Sequence, residues 1–217
     1  MRIALLGELE VRGDDDRPIV VTGAKQRALL AVLALQASRA VPAEQLVDAL
    51  WGDDPPPAVR NGLQGLVSKL RRALGSTDLV AMRGGGYVLE LPPEAIDVHR
   101  YERLVAEGRA AGGSDPARTI ALFAEADALW RGDALADFTY EDFASTTITR
   151  LSELRLAAVE ERLDIELRLG RHQVAIGELE SLTTAHPLRE RTRGLLMVAL
   201  YRAGRQADAL RVYQDGR

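Results

Sequence analysis

The chain has 217 residues and is 47% hydrophobic, which is enough apolar material for two domains with their own cores. It has no cysteine and only three scattered histidines, so thiolate metal sites are excluded and no structural metal is expected. The formal net charge of −4 gives the whole chain no cationic character. No apolar run is long enough to span a membrane, and no signal-peptide pattern opens the sequence. We therefore expect a soluble, cytoplasmic protein without a cofactor.

The N-terminal segment favours β-structure. Residues 2–11 alternate in part between apolar and polar side chains, and Ile19, Val20 and Val21 form a second β-branched run after an aspartate-rich turn. A small N-terminal sheet is therefore predicted.

Two helices are predicted next. Residues 24–36 contain one apolar stripe, and Pro42 opens a second helix that buries Leu46, Leu50 and Trp51. The segment after this helix contains three consecutive prolines, which block helical structure. A stiff, acidic loop is expected there.

A third helix is predicted from about residue 58 to residue 74, with one apolar side and one polar side. The polar side consists of Asn61, Gln64, Gly65, Ser68, Lys69 and Arg72. Residues 79–82 and 87–91 then pair as a hairpin across Arg83 and three glycines. Three helices and a two-stranded wing form a winged helix-turn-helix, so the first domain is placed at residues 1–93. Positive charge concentrates here, with five basic residues against one acidic residue between positions 57 and 83.

The rest of the chain, residues 94–217, is predicted to be an all-helical domain because the strand signals vanish after residue 93. It contains a repeat with an offset of 34 residues, which is the tetratricopeptide period. Seven positions match in register, with Leu163, Leu167, Gly170, Arg171, Ala175, Ile176 and Leu179 recurring as Met197, Tyr201, Gly204, Arg205, Ala209, Leu210 and Tyr213. Helix pairs of this kind stack into a concave protein-binding surface.

The polar side of the third helix is a candidate DNA-reading surface. Glutamine pairs with adenine through two hydrogen bonds and lysine reaches guanine acceptors, so Gln64 and Lys69 are the candidates for base contacts. The other donors of this helix suit phosphates, which fix the register of a protein without reading sequence. They are Arg60, Asn61, Ser68 and Arg72. The alternative is an ordinary solvated helix face.

The predicted wing and the first helix offer further contacts. The glycines allow a tight tip, Arg83 can enter the narrow minor groove, and the Tyr87 hydroxyl can reach a phosphate. The alternative for Tyr87 is a core tyrosine beside a hairpin turn. Lys25 and Arg27 lie in the first turn of a helix, where free backbone amides favour an anion, so both are phosphate candidates. For them the alternative is a solvated first turn.

No catalytic constellation is found. None of the three histidines lies in a glycine-framed or carboxylate-flanked context, and the carboxylates have the spacing of helix-surface salt bridges. We do not expect an enzyme.

Taken in order, the motifs resemble those of the Streptomyces antibiotic regulatory proteins, a branch of the OmpR-type winged helix. The first domain carries KQRALL at 25–30, LVDALWG at 46–52, LQGLVSKLRR at 63–72 and GY at 86–87. The helical part is similar to the bacterial transcriptional activation domain of that family. Its matching stretches are WRG at 130–132, AHPLRER at 185–191 and ALYRAGR at 199–205.

The resemblance implies a pathway-specific transcriptional activator of a secondary-metabolite gene cluster. Such a protein binds direct repeats near a promoter as a head-to-tail homodimer and recruits RNA polymerase. The sequence shows no phospho-receiver domain before the DNA-binding part, so two-component control is not expected, and the helical domain of the family usually continues beyond residue 217. The rival hypothesis is a protein-interaction scaffold that works through its tetratricopeptide-like half.

The resemblance also implies residue roles. Lys69 meets bases and Arg83 enters the minor groove. Phosphate contacts are implied for Asn61, Ser68, Arg71 and Tyr87. A helical wheel agrees for Lys69 but places Arg71 near the flank of the core face. The loop after the second helix lies where relatives contact polymerase subunits, which makes Asp53 and Asp54 the candidates for that contact.

Overall fold

The computed structural model describes residues 1–112 and 114–216. It begins with a short antiparallel pair of strands, β1 (Arg2–Ala4) and β2 (Glu10–Arg12), in which Ile3 lies opposite Val11. The predicted N-terminal sheet is confirmed, but the strand-like stretch over residues 2–11 is divided into two short strands.

The segment between β1 and β2 leaves the sheet because distant residues occupy its backbone groups. The N–H groups of Leu5 and Leu6 donate to the Asp97 carboxylate at 2.8–2.9 Å. The carbonyl groups of Leu5 and Leu6 accept from the N–H groups of Leu135 at 2.7 Å and Arg131 at 2.8 Å. Burial raises the pKa of Asp97 above its ordinary value, although the two N–H groups and Arg131 act in the opposite direction.

The strand expected at Ile19, Val20 and Val21 is wrong, because these residues do not form one. Pro18 makes a single bridge to Arg12 but has no N–H group with which to continue a ladder. β-branched residues alone therefore did not suffice to form a strand here.

Three helices follow, as predicted: α1 (Ala24–Leu35), α2 (Ala43–Trp51) and α3 (Val59–Leu74). The apolar side of α3 is buried at Leu63, Val67, Leu70 and Leu74. Burial of these leucine and valine side chains supplies the main force that holds α3 in place, at about 1.5–3 kcal/mol for each fully buried side chain.

The wing is part of a three-stranded antiparallel sheet. Its strands are β3 (Val41–Pro42), β4 (Val80–Arg83) and β5 (Gly86–Leu89), in the order β3-β5-β4. The sequence did not predict β3, because two residues are too few to show an alternating pattern. A Cβ on Gly86 would overlap the Val41 carbonyl group and lie 2.9 Å from Cα of Pro42. Glycine at position 86 therefore permits the close approach of β5 to β3.

After residue 93 the regular structure of the described residues is helical, as predicted, apart from a single β-bridge between Ile96 and Ile3. The helices are α4 (Asp97–Ala111), α5 (Pro116–Asp127), α6 (Asp142–Arg168), α7 (His172–Ala185), α8 (Glu190–Arg202) and α9 (Gln206–Asp215). Among the residues that the structure describes, no helix combines the length and the apolar character that a membrane crossing requires.

Spatial contacts divide the chain into two compact units. One contains Met1–Leu104 and Ala128–Ser152, and the other contains Val105–Asp127 and Glu153–Arg217. The segment after α5 belongs to the first unit because its backbone N–H groups bind the carbonyl groups between β1 and β2. These two units do not coincide with the predicted domains, because residues 94–104 and 128–152 belong to the first unit. The domain boundary between residues 93 and 94 stays a prediction.

His99 on α4 gives the first unit a pH-dependent link to α1. Its Nε2 lies 3.0 Å from the Ala34 carbonyl oxygen, and the neighbouring Glu102 carboxylate raises its pKa above the ordinary 6.5 despite burial. A raised histidine pKa contributes stability that is complete below pH 6.5 and is lost as pH rises through the raised value. We expect the free energy of unfolding, measured by urea denaturation, to fall across this window. Replacing His99 by glutamine should flatten that fall, and an unchanged pH profile would contradict the assignment.

Candidate DNA interface

The polar side of α3 is exposed to solvent over its whole length. We call this surface the α3 polar face, and it consists of Asn61, Gln64, Gly65, Ser68, Lys69 and Arg72, all exposed. Arg60 is exposed beside it in the first turn. The structure therefore brings together the two residues that were predicted to read bases and half of those predicted to bind phosphates.

The cations on and beside this face are not neutralised by any residue that the structure describes. Lys69, Arg72 and Arg60 make no ion pair with any other residue among those described. Arg72 also lies in the last turn of α3, where a positive charge interacts favourably with the helix dipole. Lys69 and Arg60 have no such role, so they remain available to an external anion.

Arg71 is directed into the protein instead. Its Nε and Nη2 both donate to the Val80 carbonyl oxygen, at 2.8 and 2.5 Å, and the residue is half-buried. This fork connects α3 to the first residue of β4. The expected phosphate contact of Arg71 stays a prediction, and the observed contacts to Val80 agree with the place of Arg71 near the flank of the core face on the helical wheel.

Gly65 provides a test of how closely a ligand approaches the α3 polar face. A Cβ at this position would have no heavy atom within 4 Å, so nothing inside the described protein requires glycine. Replacing Gly65 by alanine should stabilise the protein by about 0.5–1 kcal/mol, because glycine is unfavourable in a helix. We expect the same substitution to weaken operator binding, measured by fluorescence anisotropy, because the added methyl group meets the DNA.

The matched control is Gly62→Ala, which also removes a glycine from α3. A Cβ on Gly62 would make an ordinary contact with Trp51, at 3.6 Å. This variant should gain stability without losing affinity. If Gly65→Ala also kept full affinity, no close approach would occur at this position.

The wing presents Arg83 at the end of β4. Gly84 and Gly85 follow with φ angles of +56° and +81°, a left-handed conformation that glycine adopts without strain. Nε of Arg83 donates to Oε1 of Glu90 at 2.6 Å, and the Arg83 side chain remains 68% exposed. Exposed ion pairs are weak, so the Arg83 side chain can leave Glu90 and bind a phosphate or enter a minor groove instead.

We expect Glu90→Gln to tighten DNA binding about two- to fivefold, because release of an exposed ion pair is worth about 0.3–1 kcal/mol. The substitution also removes a negative charge close to the DNA. Anisotropy titrations at constant salt would measure the gain. Arg83→Ala in the Glu90→Gln background should abolish the gain, whereas a gain that survived would show that Arg83 does not contact DNA.

Tyr87 lies mostly in the core. It is 6% exposed and pairs with Val41 and Met82 across the sheet, which fits the core-tyrosine alternative. Its predicted phosphate contact remains untested. Tyr87 lines a groove of 540 Å³ together with Gln64 and Met82. No sequence pattern pointed to Met82, an apolar strand residue that is 66% exposed and lines this groove with Gln64 of the α3 polar face.

The two cations at the start of α1 also have internal partners. Nζ of Lys25 donates to the Leu50 carbonyl oxygen and lies 5.0 Å from the centre of the Trp51 ring. Arg27 makes a salt bridge of 2.6 Å with Asp137. Neither of the two hypotheses for these residues, a phosphate contact or a solvated first turn, included these internal partners. The phosphate contacts of Lys25 and Arg27 stay predictions.

The loop between α2 and α3 presents its carboxylates outward. Asp53 and Asp54 are exposed, as are the three prolines that follow them. The Asp54 N–H group donates to the Trp51 carbonyl oxygen at 3.3 Å, which ties the loop to the end of α2. The loop therefore exposes two carboxylates next to three prolines.

Comparison with known proteins matches both parts of the chain. Residues 16–89 match the family described as transcriptional regulatory protein, C terminal, and residues 96–217 match the bacterial transcriptional activator domain. The chain is 44% identical, over its whole length, to the regulatory protein AfsR of Streptomyces griseus, of which it spans 22%. It is 38% identical to the regulatory protein DnrI of Streptomyces peucetius, covering 98% of the chain and 82% of that protein.

A solved structure agrees with the fold. EmbR of Mycobacterium tuberculosis, in complex with a low-affinity phosphopeptide, superposes with a TM-score of 0.91 at 32% identity. The match covers 98% of this chain and 57% of the EmbR chain. Both domain models, both relatives and this structure agree with the resemblance noted in the sequence. The chain therefore belongs to the Streptomyces antibiotic regulatory protein family of transcriptional regulators, with an OmpR-type winged helix and a bacterial transcriptional activator domain.

Proposed function

We propose that the chain is a sequence-specific DNA-binding transcriptional activator. The α3 polar face enters the major groove and the wing reaches the adjacent minor groove. The observation that carries this proposal is the positive charge of Lys69 and Arg72 on the α3 polar face and of Arg60 beside it, since none of the three makes an ion pair with another described residue. Unpaired cations on a solvated helix are what a duplex needs, because phosphate neutralisation supplies most of the binding free energy.

The contacts inside the protein divide the predicted DNA-binding residues into two groups. Gln64 and Lys69 are proposed to read bases, and Arg83 is proposed to enter the minor groove after it leaves Glu90. Phosphate contacts are proposed for Arg60, Asn61, Ser68 and Arg72. A structural role is proposed for Lys25, Arg27, Arg71 and Tyr87, because a phosphate contact would require each of them to give up an internal contact or a buried position.

Binding is proposed to occur on direct repeats, with two copies of the chain arranged head to tail as a homodimer on DNA. Hydroxyl-radical footprinting on promoters next to the protein's own gene tests this arrangement. We expect equal protected patches, one turn or a multiple of one turn apart and in the same orientation. Absence of protection at low ionic strength would contradict DNA binding, whereas protection of an inverted repeat would contradict only the head-to-tail arrangement.

Recruitment of RNA polymerase is proposed to use the loop between α2 and α3. Its exposed carboxylates, Asp53 and Asp54, are held on a proline-rich support that does not belong to the α3 polar face. Replacing both by alanine should leave operator binding unchanged and lower transcription in a purified system. Unchanged transcription at full operator occupancy would remove this loop from the polymerase contact.

The target genes are proposed to be those of a secondary-metabolite cluster. The protein is proposed to act on them in the cytoplasm. In the rival proposal, a protein-interaction scaffold, the helical half does the work and the winged helix binds protein. The footprint separates the two, because a scaffold leaves DNA unprotected.

A further inference from the structure

Met82 is a large apolar side chain that the wing exposes to solvent. It is 66% exposed, whereas Val80, Tyr87 and Leu89 of the same hairpin are at most 6% exposed. Single exposed apolar residues are common on protein surfaces, so exposure alone gives Met82 no function. What distinguishes Met82 is its position, which the strand register defines.

The strand register places Met82 on the core side of the wing. Side chains alternate along a strand, so Met82 shares a face of β4 with the fully buried Val80, and Arg83 belongs to the opposite face. Met82 also lies directly opposite Tyr87 of β5, and residues in this relation project from the same side of the sheet. The apolar face of the wing therefore continues from the core to Met82.

The groove of 540 Å³ that Met82 and Tyr87 line from the wing is lined from α3 by Arg60 and Gln64. We call it the α3–wing groove. Gln64 belongs to the α3 polar face, and Arg60 is exposed beside that face. The α3–wing groove is therefore continuous with the proposed DNA interface.

The side of the groove that α2 contributes carries negative charge. Glu44 and Asp48 line it there, and both are exposed. Arg60, on the α3 side, has the opposite charge. Carboxylates repel phosphates, so a bound DNA strand should keep its phosphates away from α2. The part of the strand that fits beside Met82 and Tyr87 is its uncharged part.

A DNA strand passes this groove when the protein binds as proposed. The α3 polar face then lies in the major groove and the wing lies in the adjacent minor groove, and one sugar-phosphate strand separates the two. That strand runs between α3 and the wing, where the α3–wing groove lies. Its apolar parts are the C–H groups of deoxyribose and the C5-methyl group of thymine. Methionine is flexible and polarisable, so its side chain adapts to either surface.

We propose that Met82 contacts DNA and packs against the apolar surface of the strand that crosses the α3–wing groove. The proposal rests on the proposed DNA-binding function and adds to it a contact without charge. An apolar contact releases no counterions, so its contribution to affinity does not depend on salt, unlike the contributions of Lys69 and Arg72.

Met82→Gln tests the proposal, because glutamine keeps the length of the side chain and removes its apolar character. Fluorescence anisotropy measures binding of the full chain to a duplex with a single half-site at several salt concentrations. We expect affinity to fall about three- to tenfold at every salt concentration, with an unchanged slope of log affinity against log salt. Met82→Leu should retain most of the affinity, because leucine is apolar and of similar volume.

The matched control is Val174→Gln, which changes an apolar residue of α7 that is 76% exposed. It should leave DNA binding unchanged. Full affinity of Met82→Gln, an equal loss in Val174→Gln, or a loss that lowers the salt slope would overturn the proposal and leave the proposed function standing. A wild-type chain that binds no duplex would instead contradict the proposed function itself.

Two further arms separate the possible partners of Met82. A loss that Met82→Gln shows only on a duplex with two repeats would mean that Met82 contacts a second copy of the chain, which would overturn the proposal. Deoxyuridine, which lacks the C5-methyl group, then replaces the thymines of the half-site one at a time. Disappearance of the loss on one such duplex would support a thymine methyl contact, and the same loss on all of them would support contact with deoxyribose.

Discussion

Replacing Lys69 by alanine is expected to weaken binding to the specific operator by about 1–3 kcal/mol, or about 5- to 150-fold. Lys69 is exposed on the α3 polar face and makes no ion pair among the described residues, so its amine can reach guanine acceptors. Binding to random duplex should change much less, because that binding depends on phosphates. Anisotropy titrations of both duplexes at the same salt concentration measure the two losses.

Arg72→Ala is the matched control for Lys69→Ala, since both remove from the same face one positive charge that has no ion-pair partner in the described part of the chain. Arg72→Ala should weaken binding to operator and random DNA alike, and it should lower the slope of log affinity against log salt by about one. An equal loss on both duplexes for Lys69→Ala would show that Lys69 contacts only phosphate.

Replacing Gly86 by alanine is expected to lower the free energy of unfolding by at least about 1–3 kcal/mol, the usual cost of overpacking. The added methyl group would overlap the Val41 carbonyl group, and a backbone atom cannot move aside as a side-chain end can. Relief of the overlap requires β5 to separate from β3. Urea denaturation measures the loss, and we expect DNA affinity to fall as well because the wing shifts.

Gly65→Ala serves as the opposite control, because outside the backbone of α3 itself no heavy atom of the described residues lies within 4 Å of a methyl group there. The two glycine variants should therefore change stability in opposite directions. Unchanged stability of Gly86→Ala would contradict the close packing of β5 against β3.

Local patterns predicted the helices and the exposed polar side of α3 well. The apolar period of α3 defines its buried side, and the polar face then follows from helical geometry alone. The 34-residue repeat similarly predicted stacked helix pairs, and the apolar side chains of α6 to α9 form one buried cluster. Each of these features depends on residues within a few turns or one repeat.

Features that depend on distant partners were missed. Arg27 pairs with Asp137, which is 110 residues away, and Asp97 binds Leu5 across 92 residues. No local spacing points to such partners, so the sequence did not indicate which cations would be neutralised. The two-residue strand β3 was missed for a related reason, because only its pairing with β5 makes it a strand.

The absence of cysteine from the sequence allows a direct test of the central claim, that the α3 polar face contacts the duplex. A single cysteine replaces Ser68 on this face, and a control chain carries its cysteine at the exposed Ser181 of α7. Each protein is incubated with an operator duplex that carries a thiol-tethered base in the major groove, and disulfide cross-links are quantified on gels. We expect efficient cross-linking from position 68 and none above background from position 181. Equal cross-linking from both positions, or none from position 68 while DNA remains bound, would contradict the account.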